Sequence, residues 1–369
     1  MRVEIFVPVS YYGPIETRTW PTPSRQYDPQ HGMRSMECGF EQCEAAFRAG
    51  FDSINFAEHH YSINQLSPSP IFYAGILGQR LPDAHIGVLG SDLPLHNPVQ
   101  LAEEYAMLDN LLGGRVNIGL LRGTPNEYLT YGTNPWESKE AFKEAVRLFI
   151  RALTEPEPFG WEGRYYRYRN VSIWPQPVQR PHPRILLSGN SPDSARFAGE
   201  MKCDIGFSFQ PPETCAANVE HYRAGARDAG WEPTADNILY RQFCFIGATD
   251  EKAERGRADL NALFGGASMD YIMTMGMVGA AMAGAPKGVP LDPSKMGPPH
   301  FDPPWIGTPE KVLGDIRKFR DAAGIGRVEF IVGGTPSCPH EAVIESIALM
   351  GETIIPALHA DRFELVVAR

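Results

Sequence analysis

Residues 56–62, FAEHHYS, set a carboxylate and two adjacent histidines at the end of an apolar run. Imidazole exchanges a proton near neutral pH, so a histidine held at the edge of a core is a natural acid/base group. Carboxylate and imidazole are also metal-ligand types, and spacing decides between the two chemistries. Successive side chains of an extended chain point to opposite sides, so His59 and His60 cannot both face one site, whereas Glu58 and His60 share a side. No second His/Asp cluster stands at another strand end, and neither LRG (121–123) nor SGNS (188–191) offers a good third ligand. The expectation is no metal and one inward-facing histidine.

A second group with chemical capacity is SGNSPDSARFAGE, residues 188–200. Backbone amides of a small-residue turn, a helix N-terminus and Ser or Asn side chains together bind a phosphate well. Ser-Pro-Asp is also an ordinary helix cap, so the segment gains meaning only in company. Arg122, at the end of a neighbouring apolar run, can pair bidentately with the same phosphate. Together they suggest a phosphorylated cofactor.

These residues need a frame that brings strand ends together. Short apolar runs recur along the chain, each followed by a turn signal and an amphipathic helical pattern, the alternation expected of βαβ units around a parallel sheet. The expected strands are Val3 to Val9, Ser53 to Ala57, Ile86 to Leu93, Val116 to Leu121, Arg184 to Ser188, Asp204 to Phe209, Leu239 to Ile246 and Val328 to Val332. Eight of them predict an α/β fold, a TIM-type (β/α)8 barrel, whose site lies at the carboxyl ends of the strands. Helical patterns cover Ser35 to Ala49, Pro98 to Asn110 and Ser138 to Leu153, and Gly50, Gly113, Gly114, Gly230 and Gly324 stand where left-handed helix terminators belong. Two long insertions break the rhythm. Residues 11–32 follow the first strand with Tyr11, Tyr12 and Trp20, and a segment of about 265–305, between strands seven and eight, begins with five methionines over residues 269–282. Segments of this length are usually lids or binding loops; for the methionines, a plain apolar helix is an equal alternative to a substrate-facing surface. The whole, residues 1–369, is expected to be a single barrel domain.

Length and composition are compatible with this frame. The 369 residues are 43% hydrophobic and 21% charged, ordinary for a folded globular chain. A formal net charge of -10 and the lack of a basic block argue against a nucleic-acid partner. No signal peptide is evident at the N-terminus, and no window approaches the roughly 20 apolar residues of a membrane span. A cytoplasmic protein with reduced thiols is therefore expected, its six cysteines forming no CxxC pair.

Taken together the motifs resemble the bacterial luciferase-like flavin monooxygenase family. GFDSINFAEHHYS (50–62) is similar to that family's second strand with its EHH. NPVQLAEEYAMLDNLLGGRVNIGLLRGTPNEYLTYGTN (97–134) is similar to its central signature, and WIGTPEKVLGDIRKFRDAAGIGRVEFIVGG (305–334) to its carboxy-terminal GTPEE helix and last strand. The resemblance implies a barrel that binds FMN, supplied reduced by a separate NAD(P)H-dependent flavin reductase. It also implies reaction with oxygen to a flavin hydroperoxide that oxygenates a small organic substrate, and a homodimer. His59 matches the family's catalytic acid/base, and Leu89-Gly90 a non-proline cis peptide under the flavin ring. Arg122, Asn190, Ser191 and Ser194 match positions that hold the FMN phosphate, and Phe209 an aromatic residue lining the pocket.

Departures from the pattern narrow the expectation. Leu121 stands where luciferase has a reactive cysteine, Pro125 near the place of a flavin-contacting tyrosine, and Asn190 in place of a carboxylate at the phosphate loop. Light emission is not expected. Tyr11, in the longer loop after the first strand, is expected to shape a substrate pocket. The leading expectation is hydroxylation, epoxidation or Baeyer–Villiger oxygenation of an apolar compound, with deazaflavin-dependent hydride transfer as the main rival and a non-catalytic flavin-binding protein as a third.

Overall fold

The eight apolar runs form a closed parallel barrel, each strand paired with the next and the last returning to the first. In this computed structural model, which describes residues 1–16, 20–264, 269–287, 303–334 and 337–361, the barrel strands are β1 (Arg2–Phe6), β2 (Ser53–Phe56), β3 (Ile86–Asp92), β4 (Val116–Leu121), β7 (Ile185–Ser188), β8 (Asp204–Ser208), β9 (Ile238–Ile246) and β11 (Arg327–Ile331). All eight fall on expected runs, because a strand buried by a helix outside and by the barrel inside must be apolar on both faces. Two features were not expected. An antiparallel hairpin, β5 (Phe159–Glu162) and β6 (Arg167–Val171), precedes β7, and a short strand, β10 (Trp305–Gly307), pairs in parallel with the far end of β9.

Helices cover the barrel and end where the glycines require it. Gly50, Gly113, Gly114, Gly230 and Gly324 all have φ between 58° and 88°, the left-handed region that other residues avoid. The first long helix, Pro29–Ala49, begins six residues earlier than its pattern suggested: Asp28 caps it by accepting the N–H groups of Gln30 and His31. Between β9 and β11 the described elements are the helices Asp250–Phe264, Met269–Met282 and Pro309–Ala323 and strand β10. Residues 265–268 and 288–302 of that stretch, and residues 17–19 of the loop after β1, lie outside the described residues.

One sequence expectation needs correction. The helical stretch His340–Ala360 is long and apolar enough to cross a membrane. Its Val343, Ile347, Met350, Ile354 and Leu358 are packed into the hydrophobic core around the barrel, which accounts for the apolar composition. The six cysteines are buried free thiols.

The barrel interior is polar at its amino-terminal end. Glu4, Asn55, Glu329 and Arg327 are at most 1% exposed. Asn55 donates from Nδ2 to Glu4 (2.9 Å) and Glu329 (2.7 Å), while Arg327 donates to Glu4 and to Asp204, both at 2.7 Å. Arg184 pairs with Asp204 and Arg241 with Glu329. Three carboxylates thus meet three guanidinium groups, which satisfies the requirement that buried charge be both paired and hydrogen-bonded. Burial alone would raise the Glu4 carboxyl, but Arg327 and Asn55 outweigh it and hold it below the usual range.

Candidate active site

At the carboxyl ends of β2, β3, β4 and β7 lies a cavity of about 600 Å³. Its walls bring together His59, Asp92, Arg122, Ser191, Ser194 and two lysines, Lys139 and Lys143. Alternation along β2 explains the first of these: Ser53, Asn55 and Ala57 face inward, and His59 continues that parity while Glu58 and His60 turn to the other side.

His59 is oriented by a carboxylate. Its Nδ1 lies 3.0 Å from Oε1 of Glu127, which is 1% exposed on the short helix Pro125–Tyr131. The second oxygen of Glu127 caps that helix by accepting from the backbone N–H of Thr124 at 3.0 Å and from its hydroxyl. Burial raises the Glu127 carboxyl, but the His59 contact and the Thr124 bond more than offset this and hold it low. With Nδ1 committed to the carboxylate, Nε2 of His59 is left for whatever occupies the cavity, the arrangement that fixes both tautomer and ring orientation.

Glu58 and His60 form a support behind this pair. Glu58 accepts from His60 Nε2 (2.9 Å), His96 Nε2 (2.8 Å) and the backbone N–H of Asp92 (3.0 Å), so one buried carboxylate fastens the ends of β2 and β3. Burial pushes its pKa up, yet the histidine contacts prevail and bring it to about 2; the Glu58 carboxylate in turn raises His96 against its own burial. The two shifts carry opposite signs with pH. Glu58 supports the fold above its unfolded value of 4.5 and loses that support as pH falls toward 2, whereas His96 supports it below 6.5 and loses this as pH rises. We expect wild-type protein to exceed the Glu58→Gln variant in unfolding free energy by about 3 kcal/mol between roughly pH 4.5 and 6.5. Urea titrations across pH should show that gap closing on the acid side; a gap that stays constant down to pH 2 would show that Glu58 is not held as an anion.

The other end of the cavity is suited to an anion. Ser191 caps the helix Pro192–Glu200, its Oγ 2.7 Å from that of Ser194, so both hydroxyls sit at the helix N-terminus. Lys139 and Lys143, one turn apart on the helix Ser138–Thr154, reach the same place and hold Asp193 at 3.0 and 2.9 Å. Lys143 also lies 3.8 Å from Glu140, so the two ammonium groups meet two carboxylates, and Arg122 adds a further cation to the cavity wall. Asn190 also lines the cavity, but its amide is engaged with the backbone of Ser208 (3.0 and 3.3 Å), which ties the β7 loop to β8. Arg122 donates from Nη1 to the carbonyl of Met282 at 2.7 Å, so the helix Met269–Met282 lies against the cavity.

Four expected site residues are not among the walls of this cavity. The Leu89-Gly90 peptide is cis; Leu89 packs with Leu186 and Leu239 inside the barrel, and a Cβ on Gly90 would meet the Gly119 carbonyl at 2.1 Å, so the strands approach closely there. Neither residue is among the walls of the cavity. Phe209 stacks on Phe243 (4.9 Å between ring centres) in an apolar cluster with Phe6, Ala57 and Ile331 across the barrel mouth. Tyr11 is not brought to the cavity: it is 1% exposed, accepts the Asp28 N–H at 2.9 Å and packs on Tyr27, where it fastens the loop to the start of the Pro29–Ala49 helix.

Comparison with known proteins bears on what such a site serves. The sequence pattern of the family described as luciferase-like monooxygenase matches residues 19–324. The chain belongs to this family. Among luciferase-like relatives, the oxygenase component of the flavin-dependent trigonelline monooxygenase of Acinetobacter baylyi is 27% identical over 168 residues, 45% of this chain and 46% of that protein. The chain thus spans about half the length of several curated relatives it matches. Two solved luciferase-like folds superpose over nearly the whole chain. The monooxygenase RslO1 of Streptomyces bottropensis gives a TM-score of 0.74 at 24% identity, covering 97% of this chain and 99% of that one. The oxygenating constituent of 3,6-diketocamphane monooxygenase of Pseudomonas putida, solved in complex with FMN, gives 0.72 at 20% identity, covering 96% and 98%. F420-dependent dehydrogenases are also among the proteins it resembles.

Proposed function

We propose that the protein is a flavin-dependent monooxygenase that uses reduced FMN and O2 to oxygenate an apolar organic substrate by hydroxylation, epoxidation or Baeyer–Villiger insertion. The observation that carries this reading is a single cavity with an oriented histidine at one end and a cationic, hydroxyl-lined helix N-terminus at the other. That distribution fits a molecule with a dianionic phosphate and a flat ring system. Bound there, reduced flavin supplies the electrons by which one oxygen atom of O2 is transferred and the other leaves as water.

The chain's own residues divide the remaining work. Ser191, Ser194, Lys139, Lys143 and Arg122 hold the phosphate. His59, kept in one tautomer by Glu127, gives or takes a proton at Nε2. Leu121, Phe142, Phe197 and the end of the Met269–Met282 helix make the walls apolar and exclude water. A cytoplasmic homodimer served by a separate NAD(P)H-dependent reductase completes the proposal.

The F420-dependent relatives support one rival, hydride transfer on a deazaflavin. A single assay separates the two: the protein is incubated with a generic flavin reductase, NADH, FMN, isotopically labelled O2 and a panel of apolar candidates, and products are analysed by mass spectrometry. Label in a product is the expected result. Substrate reduction or oxidation with F420 and no incorporated label would overturn the monooxygenase reading.

A further inference from the structure

Asp92, the last residue of β3, is 2% exposed and lies beside Leu121 of β4 in the sheet register. It forms part of the cavity wall with His59 and Arg122. Its backbone N–H is committed to Glu58, but among the described residues its buried side-chain Oδ2 has no hydrogen-bond partner. The neighbouring backbone leaves the carboxyl room, since a Cβ on Gly123 would stand 3.3 Å from its carboxyl carbon, and Gly123 has φ 89°.

The surrounding charges determine the form this carboxyl takes. Glu58 is an anion held by His60 and His96, and Glu127 an anion held by His59. Arg122 donates to the Met282 carbonyl, and among the described residues no cation contacts Asp92. Burial, reinforced by the Glu58 and Glu127 charges, pushes the Asp92 carboxyl well above the usual range. A third carboxylate here would be an unpaired buried charge, and protonation removes that cost. The neutral acid then owns an O–H, and among the described residues Oδ2 meets no acceptor.

We propose that Asp92 is a neutral carboxylic acid that donates a hydrogen bond to an acceptor atom, a carbonyl oxygen or ring nitrogen, of the molecule bound in the cavity. This rests on the reading of the cavity as the flavin site, and the acceptor belongs either to the cofactor ring or to the organic substrate beside it. Asp92 is on this account a binding and positioning residue, distinct from the proton-transferring role given to His59.

Two variants test it, Asp92→Leu, which removes the donor, and Asp92→Asn, which keeps an N–H donor of the same shape. Dissociation constants for FMN are measured by quenching of flavin fluorescence, with the midpoint potential of bound FMN and the substrate KM alongside. If the acceptor is on the cofactor, Asp92→Leu weakens FMN binding about tenfold and shifts the potential, while Asp92→Asn stays within about threefold of wild type. If it is on the substrate, FMN binding is unchanged and KM rises about tenfold in Asp92→Leu but not in Asp92→Asn. No change in any of these, or equal losses in the two variants, overturns the proposal. Infrared difference spectra of wild-type protein with and without FMN and substrate guard against misfolding of the leucine variant. A protonated-carboxyl stretch that shifts on binding and is missing from Asp92→Asn supports the assignment, and its absence from wild type counts against it. Wild-type protein that binds no FMN would instead sink the flavin reading; F420 then serves as the probe, and the same contrast between leucine and asparagine decides for Asp92.

Discussion

Replacing His59 by alanine lowers product formation by about 10²- to 10⁴-fold, the range over which a positioned acid/base group contributes, and leaves FMN affinity within about threefold of wild type. The two effects separate because His59 follows β2 and the serines at the helix N-terminus follow β7, with β3 and β4 between them. Glu127→Gln is the companion variant. It retains an acceptor for Nδ1 but loses the charge, so turnover should fall less than in His59→Ala and its pH profile should shift. Steady-state product assays with a fixed reductase, paired with fluorescence titration of FMN, check both. Turnover of His59→Ala equal to wild type would remove the histidine from the chemistry, and a lost FMN affinity would make it a binding residue.

The second large effect concerns the barrel interior. Arg327→Ala is expected to cost about 3–5 kcal/mol of stability, because it leaves the Glu4 and Asp204 carboxylates buried with one cation fewer. Removing a matching charge should recover part of the loss. The double variant Arg327→Met with Glu4→Gln is therefore expected to be more stable than Arg327→Met alone, since neither partner then carries an uncompensated charge. Denaturant midpoints for the four members of that cycle measure the coupling directly. Additive losses, with no coupling between the two positions, would show that the pair does not act as a buried ion pair.

The barrel was legible because burial on both faces writes itself into each strand as a continuous apolar run, and glycines at left-handed positions punctuate the helices. The features that escaped lack such a signature. β5 and β6 are largely exposed and mix tyrosine with arginine and glutamate, while β10 is three residues long and becomes a strand only by pairing with β9. The site divides in the same way. His59 could be singled out by alternation within one strand, and the serines by their place before a helix. Lys139, Lys143, Glu127 and Asp92 matter through neighbours dozens of residues away. Lys139 and Lys143 did carry a local sign, a spacing of four on one helix face, but nothing in the chain said that this face meets the loop after β7. Tyr11 shows the converse: an aromatic residue in a long loop suggested a ligand, and in the fold it fastens the loop to a helix cap.

The bond from Arg122 to the Met282 carbonyl makes two events thermodynamically reciprocal. Any ligand anion that draws the guanidinium away releases one tie on the Met269–Met282 helix, and any change that holds the helix more firmly withdraws a cation from the anion. The coupling free energy is the same in both directions. On the proposed reading of the cavity, affinity for the anionic ligand is therefore set partly by a helix in the insertion between β9 and β11, and substitutions there should alter cofactor retention without touching the barrel.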